Sequence, residues 1–444
     1  MSESDAKEIV ITGLGVVSPI GSGIEPFWEA LLQKKTGVTL TDSYLLEDAK
    51  KIETLPFPLC APVVDLDIKR IKPRKNVKVM ARDIQLGFVA ADFAHEDSQL
   101  AEKPVDPTRQ GIVFGTLMII VNVSEMAPLY KDAIDENQEF MPSKFGSAIG
   151  EMFPLWMLKY LPNMTPCHIG IAFDLQGPSN TLVCGETGGI NAITEACRAI
   201  HRGYTDVMYA GGCASCCNPS ARTRFSLYQL SSQVENPAAA SRPFDAKRDG
   251  VVLGEAAGTC ILETRESALR RDVPIYATIC GHAETAEAVW NPALDGAPQK
   301  EDVRIDRAKF TGKSIRNAIQ LAMQRAGITA GDLAFVMACG NGTVHGDAVE
   351  AAAIHDTLGD VPVTAIKGAT GHAMAGSSSI ETVATVLALS KGIIPPTVNC
   401  DEVASDCPIQ IVKEPREIPA GKDYALVLSY NFYGQAAVLV LKKG

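Results

Sequence analysis

Short runs of apolar and β-branched residues recur along the chain, each ending near glycine. Ile9–Thr12 runs into Gly13-Leu14-Gly15, and Gly111–Gly115, Asp206–Gly211, Leu333–Met337, Val361–Ile366 and Ala425–Ser429 repeat the pattern. Runs without polar alternation predict strands buried on both faces. Between them the period changes. Ile190, Ile193, Cys197 and Ile200 recur at spacings of three and four before Gly203. Ile315, Ala318, Ile319, Ala322, Met323 and Ala326 do the same before Gly327, and Ala351, Ala352 and Ile354 before Gly359. Each stripe marks the buried side of a helix closed by glycine. The alternation predicts an α/β protein whose sheets are covered by helices.

One junction stands out. Val183-Cys184-Gly185-Glu186-Thr187-Gly188-Gly189 passes from an apolar strand through a tight turn into a helix. Such a turn presents a side chain at the positive end of the helix, a place suited to a nucleophile or an anion. Trp290 to Arg307 is rich in Pro, Asp and Gly and reads as a loop, and Glu125–Trp156 reads as irregular. Met152, Phe153, Leu155, Trp156, Met157 and Tyr160 form an apolar cluster, read as core or dimer interface.

The 444 residues are 46% hydrophobic and 21% charged. That globular balance excludes a disordered, coiled-coil or collagen-like chain, and the length suits two or three domain-sized units or one large duplicated fold. The 52 acidic residues outnumber 41 Lys and Arg, a net charge of −11, which argues against nucleic acid as a partner. The 12 cysteines sit mostly in apolar runs, and Met1–Glu8 is polar and acidic rather than an export leader. Reduced thiols in a cytoplasmic protein are therefore expected. No apolar run reaches the roughly 18 residues of a membrane span. Cys213-Ala214-Ser215-Cys216-Cys217 lacks the second ligand pair that zinc requires, and Gly13-Leu14-Gly15 lacks the third glycine of a dinucleotide fingerprint. No metal or cofactor is expected.

The longer motifs carry a resemblance. Gly177-Pro178-Ser179 leads into the junction, followed by Ala210-Gly211-Gly212, Ser241-Arg242-Pro243-Phe244-Asp245, Arg248-Asp249-Gly250 and Gly254-Glu255-Ala256-Ala257-Gly258. Asp347-Ala348-Val349-Glu350 and Lys367-Gly368-Ala369-Thr370-Gly371-His372 follow, and Thr12–Gly21 opens the set. In this order they resemble the β-ketoacyl-ACP synthase family, the decarboxylating condensing enzymes of fatty-acid and polyketide synthesis, over nearly the whole chain. The resemblance implies a thiolase fold of two similar halves, 1–260 and 261–444, stacked as α-β-α-β-α layers and dimerising through the first. It also implies an acyl carrier protein as partner, bearing the acyl chain on phosphopantetheine.

The family condenses with a Cys, two His and a Lys. By resemblance the Cys position falls on Glu186 and the first His position on Asn341 of Asn341-Gly342-Thr343, while Lys367 and His372 remain. The stretch from Asn341 to Asp347 is shorter than the family pattern. The glycine-rich loop near the C-terminus maps to Tyr430-Asn431-Phe432-Tyr433-Gly434; it keeps the gatekeeping Phe432 but carries Asn431 and Tyr433 in place of glycines. Glu186, Asn341, His372 and Lys367 are thus the candidate catalytic positions. Phe432, Asn431, Tyr433 and Thr343 are the candidate substrate-binding ones.

A carboxylate is a poor acyl acceptor from a thioester, so condensation through Glu186 is not expected. Chain-length factors, inactive partners of a working ketosynthase, also lack this Cys, and a partner of that kind is the leading expectation, as homodimer or heterodimer. Glu186 reads as an anion steadied by helix dipoles, worth about 0.3–1 kcal/mol, or paired with Lys367 or His372. The alternative is an acyl-ACP-processing enzyme (a decarboxylase, hydrolase or acyltransferase) using Glu186, His372 and Lys367, or a synthase with an unforeseen nucleophile such as Cys184. His345 reads as a loop histidine, with replacement of the missing His as its other reading.

Overall fold

The computed structural model describes residues 8–40, 58–226, 229–289 and 310–444. Its principal strands are β1 (Ile9–Ser18), β2 (Gln110–Thr116), β3 (Ser179–Val183), β4 (Val207–Ser215), β5 (Leu253–Thr264), β6 (Ala277–Ala286), β7 (Leu333–Met337), β8 (Pro362–Thr364), β9 (Gln410–Ile411), β10 (Tyr424–Tyr430) and β11 (Gln435–Lys443). The long helices are α1 (Arg82–Asp97), α2 (Gly188–His201), α3 (Lys313–Ala326), α4 (Val344–Leu358) and α5 (Ala375–Lys391).

The strand order exposes a duplication. The first half runs β1-β5-β4-β2-β3 and the second repeats it as β6-β11-β10-β7-β8, with β9 added beyond β8. In each half the strands at the far end are parallel and the two nearest the centre antiparallel. The halves join where β1 and β6 pair antiparallel. Cys260, where the sequence divides the chain, lies within β5.

Three cores lie between the layers. Ile190, Ile193 and Ile200 of α2 and Val383 and Leu387 of α5 form the central one with Met208 and Val427 of the two sheets. Ile84, Phe88 and Ala91 of α1 pack on the outer face of the first half, against Tyr209 and Ile261. Ile315 and Ile319 of α3 and Ile354 of α4 pack on the outer face of the second, against Val336 and Val438. The order is helix, sheet, paired helices, sheet, helix. The helix expected from Ile190 begins at Gly188, and those before Gly327 and Gly359 end at those glycines.

Some expectations shift. The first strand does not stop at Gly13 but continues to Ser18, because its glycines admit α1 closely: a Cβ on Gly15 would lie 1.9 Å from the Ala90 carbonyl oxygen. The strand expected at Val361–Ile366 is shorter, Pro362–Thr364, since Ile366 already starts the turn that carries Lys367. Within Glu125–Trp156 lie two short helices, Ala127–Asp132 and Pro142–Ser147. The loop read at Trp290–Arg307 falls outside the described residues. All twelve cysteines are free thiols. Among the described residues no cluster of His, Cys, Asp and Glu is placed to hold a metal, and no helix is long and apolar enough to cross a membrane.

The start of α2 rests directly on β2. A Cβ on Gly115 would fall 2.1 Å from the Gly188 carbonyl oxygen, whereas one on Gly146 meets nothing within 4 Å. Gly115→Ala is expected to lower the unfolding free energy by about 1–3 kcal/mol, as overpacking does. Gly146→Ala serves as the control that changes little in the same urea titration.

Candidate functional site

The duplication places two turns opposite each other. Glu186 lies between β3 and α2, and His372 lies between β8 and α5, at corresponding points of the repeat. The Glu186 turn is a single 3-10 turn, Gly185–Thr187, entered through Gly185 at φ +58°. It is tied on two sides: the Ser429 hydroxyl donates to the Glu186 carbonyl oxygen at 2.9 Å, and the Gly189 amide donates to the Ser378 hydroxyl at 3.2 Å. The Glu186 side chain is buried, only 3% exposed. Its charge reaches Cys216, whose thiol is pushed well above its usual range by burial first and then by Asp83, Glu186 and Glu255.

His372 is fixed as a neutral ring. Its Nδ1 accepts from the Met374 amide at 3.2 Å and lies 3.4 Å from the Ser377 hydroxyl. The hydroxyl itself accepts from the Ala373 amide at 2.8 Å. These bonds assign the proton to Nε2. Burial, helped by the Lys367 charge, holds the imidazole well below its ordinary value.

Lys367 is committed elsewhere. Its ammonium donates to the Cys339 carbonyl at 2.7 Å, lies 3.4 Å from the Cys339 sulfur, and pairs with the Glu381 carboxylate. Burial pulls this ammonium down, but Cys339 and Glu381 outweigh it and the net shift is upward. The ion-pair partner of Lys367 is Glu381, in α5, and His372 Nδ1 faces the Met374 amide and the Ser377 hydroxyl.

Asn341 is spent on a turn. Its Oδ1 accepts from the Thr343 amide at 3.0 Å and hydroxyl at 2.7 Å, and its Nδ2 donates to the Tyr430 hydroxyl at 3.3 Å. Thr343 in turn caps α4, accepting from the Gly346 amide at 3.2 Å. Beneath this turn, Glu350 accepts from the Cys339 and Gly340 amides at 2.6 and 2.8 Å, and burial pushes its carboxyl up to about 8. His345 is exposed on the first turn of α4, with Nε2 3.2 Å from the Phe310 carbonyl oxygen. Its place is helical rather than in a loop, and its ring faces Phe310.

The hairpin between β10 and β11 holds the remaining candidates. Asn431 is buried and closes the hairpin: its Oδ1 accepts from the Tyr433 and Gln435 amides, both at 3.1 Å. Phe432 is buried edge-on against Tyr430, with ring centroids 6.2 Å apart. Tyr433 is 54% exposed. Glu186, Asn341, Lys367, His372, Thr343, Asn431 and Phe432 are thus all buried, and Tyr433 stands at the surface.

Two family models match the chain: the β-ketoacyl synthase N-terminal domain over residues 6–268 and the β-ketoacyl synthase C-terminal domain over residues 295–401. The chain belongs to the β-ketoacyl synthase family. It is 29% identical to a 3-oxoacyl-[acyl-carrier-protein] synthase 2 of Synechocystis, covering 100% of both chains. It is 31% identical to a putative mitochondrial 3-oxoacyl-[acyl-carrier-protein] synthase of Schizosaccharomyces pombe, over 98% of this chain and 99% of that one. Among solved structures, a β-ketoacyl synthase from Burkholderia phymatum superposes with a TM-score of 0.82 at 25% identity, covering 99% of this chain and 100% of that one. The ishigamide ketosynthase/chain length factor does so at 0.80 and 26%, with the same coverage. A type II polyketide ketosynthase in complex with its acyl-carrier protein gives 0.81 and 25%, again with the same coverage. The five layers are those of the thiolase-like ketosynthase fold.

Sequence reasoning passed over two residues that contact the candidate site, and one buried cation elsewhere. Tyr430 stood within the quoted loop but was not singled out, although a tyrosine ending an apolar strand must find a partner for its hydroxyl. Glu381 is the only acid in α5, a signal that it has a buried cation. Arg222, on the short helix Pro219–Phe225, is among the largest fully buried side chains; no periodicity announced it.

Two outcomes test this electrostatic arrangement. Lys367→Met strands the Glu381 charge and is expected to cost about 3–5 kcal/mol in chemical denaturation, with Lys367→Met/Glu381→Leu recovering most of it. His372 takes up its proton later in the folded than in the unfolded chain. Its contribution to stability is therefore present above about pH 6.5 and lost as pH falls. The stability gap between wild type and His372→Gln is expected to narrow by about 1.4 kcal/mol per pH unit below pH 6, read by urea titrations at several pH values.

Proposed function

We propose that this β-ketoacyl synthase homologue does not condense, and that it acts as a chain-length-factor-like partner of an active ketosynthase while engaging an acyl chain on its carrier protein. The observation that carries this reading is Glu186, a buried carboxylate at the start of α2 where the family's nucleophilic Cys is expected. Attack by a carboxylate would form a mixed anhydride, which water cleaves readily. The buried thiols nearest the site offer no substitute. Cys216 and Cys339 are both pushed well above the usual range, by burial first, and the thiolate is the reactive form.

Two surfaces support the partners. β3 is the last strand of the sheet at that end, and Val183 on it is exposed, as are Met118 and Ile171 on the segments just after β2 and before β3. An apolar edge of this kind marks an interface rather than a solvent face, and a second ketosynthase-like chain suits it. Lys69, Lys72, Arg74, Lys75 and Lys78 are all exposed within one short stretch of an otherwise acidic protein. That concentration of positive charge suits an acidic carrier protein.

One observation favours a second reading. His372 keeps an Nε2 proton and stays neutral, which is a donor suited to a malonyl thioester losing carbon dioxide.

The test is intact-mass analysis of the carrier after acyl-ACP and malonyl-ACP are mixed with the purified protein alone. No change in carrier mass is expected, with condensation appearing only when an active ketosynthase is added. A β-ketoacyl product two carbons longer from the protein alone overturns the proposal. Acetyl-ACP formed from malonyl-ACP replaces it with the decarboxylase reading.

A further inference from the structure

A cavity of about 190 Å³ opens at the seam of the two halves, at the opposite end of α2 from the Glu186 turn. It lies where β1 pairs with β6 through Ile9 and Ile279. There β6 also slips its register on β11: Gly281 faces Val440 and Ile279 faces Leu441, leaving Cys280 between them unpaired. A bulge of this kind interrupts the ladder and re-aims side chains. Ile9 and Ile279 give the cavity an apolar floor, together with the thiols of Cys197 and Cys280. Both thiols stay neutral, since burial pushes Cys197 up to about 12 and raises Cys280 as well.

The polar lining is nitrogenous. His201 ends α2, Arg325 stands on the last turn of α3, and His282 follows the bulge. No carboxylate lines the cavity. Glu284, 4.0 Å from His282 Nδ1, is held by Arg198 at 2.9 and 3.0 Å. Helix ends carry partial negative charge, but here their carbonyls are engaged. Those of Arg198, Ala199 and Ile200 in α2, and of Met323 and Gln324 in α3, accept from the amides that follow each helix.

Two features point to a ligand. Burial first, then Arg198, Arg325 and His201, hold the His282 imidazole down to about 4, so it is neutral and has one N–H to donate. Its Nδ1 is nevertheless buried with no hydrogen-bond partner among the described residues, a state that calls for an occupant. Arg325 donates one Nη to the His282 carbonyl oxygen at 2.5 Å. That bond pins a group with five N–H donors beside the cavity and leaves most of them to bind an anion.

We propose that this cavity binds a short-chain carboxylate, with its headgroup held by Arg325 and His282 and its alkyl chain laid on Ile9 and Ile279. The volume is below the roughly 300 Å³ at which sites for drug-sized ligands begin, which keeps the acid small. The apolar floor favours an organic acid over an inorganic anion, which would leave it uncovered.

The test uses saturation-transfer NMR on the full chain. It follows hexanoate and hexanol directly, and inorganic phosphate by its displacement of hexanoate. Hexanoate is expected to bind with a millimolar Kd, as suits about eight non-hydrogen atoms, and hexanol about tenfold more weakly for want of the charge. Arg325→Gln and His282→Leu are each expected to weaken hexanoate about five- to tenfold. Arg325 is exposed, so Arg325→Gln keeps the fold whatever becomes of His282→Leu. Unchanged hexanoate affinity in Arg325→Gln overturns the proposal, as does hexanol binding as tightly as hexanoate. Phosphate that displaces hexanoate at equal concentration overturns the assignment to an organic acid. A wild type that binds no hexanoate overturns it outright. None of these outcomes bears on Glu186, whose site the two variants leave intact.

Discussion

The structure depends on how closely two glycine-led helices pass between two sheets. α2 and α5 are the only layer shared by both halves, and they meet where side chains have been stripped away. A Cβ on Gly189 would lie 2.2 Å from the Ser379 hydroxyl oxygen. That approach brings the starts of the two helices together, and with them the turns that carry Glu186 and His372. The duplicated strand order does the coarse positioning, and the missing side chains do the fine positioning. The bond from the Gly189 amide to the Ser378 hydroxyl, which ties the start of α2 to α5, needs this spacing.

Charge in this interior is held by close partners. Lys367 goes to Glu381, Asp347 accepts from the Phe244 and Gly342 amides, and Glu350 accepts from Cys339 and Gly340. Burial raises the carboxyls of Asp347, to about 6, and Glu350, to about 8, but their backbone partners favour the charged form. The lysine retained from the family pattern is held by Glu381. Lys367 and His372 are both retained in the sequence, and the structure gives each its own set of partners.

Much of the fold was legible in the sequence. Strands such as Leu333–Met337 are buried on both faces, so their apolar runs stand out, and the helical stripes ending at Gly327 and Gly359 carry their own stop signals. The candidate site was legible where a residue type is chemically odd for its place, as with Glu186 and Asn341. What escaped was whatever depends on pairing across the chain. Glu381 lies 14 residues from Lys367, and only the geometry of the turn before α5 brings them together. Tyr430 and Asn341 are separated by 89 residues, and the bond between them is set by a turn that begins after a different strand. The wrong extent of the first strand came from reading glycine as a stop, when here it admits a neighbouring helix.

The Asn341–Tyr430 contact also couples two distant positions of the chain. A longer ring at position 341 and the phenol of Tyr430 compete for the same space, since the two side chains are already 3.3 Å apart. The space behind the phenol is closed too, because a Cβ on Gly346 would lie 2.8 Å from its oxygen. An imidazole placed at position 341 would have to displace the Tyr430 phenol, and the phenol has nowhere to go. The two positions are therefore expected to change together or not at all: a single substitution at either one meets the packing of the other.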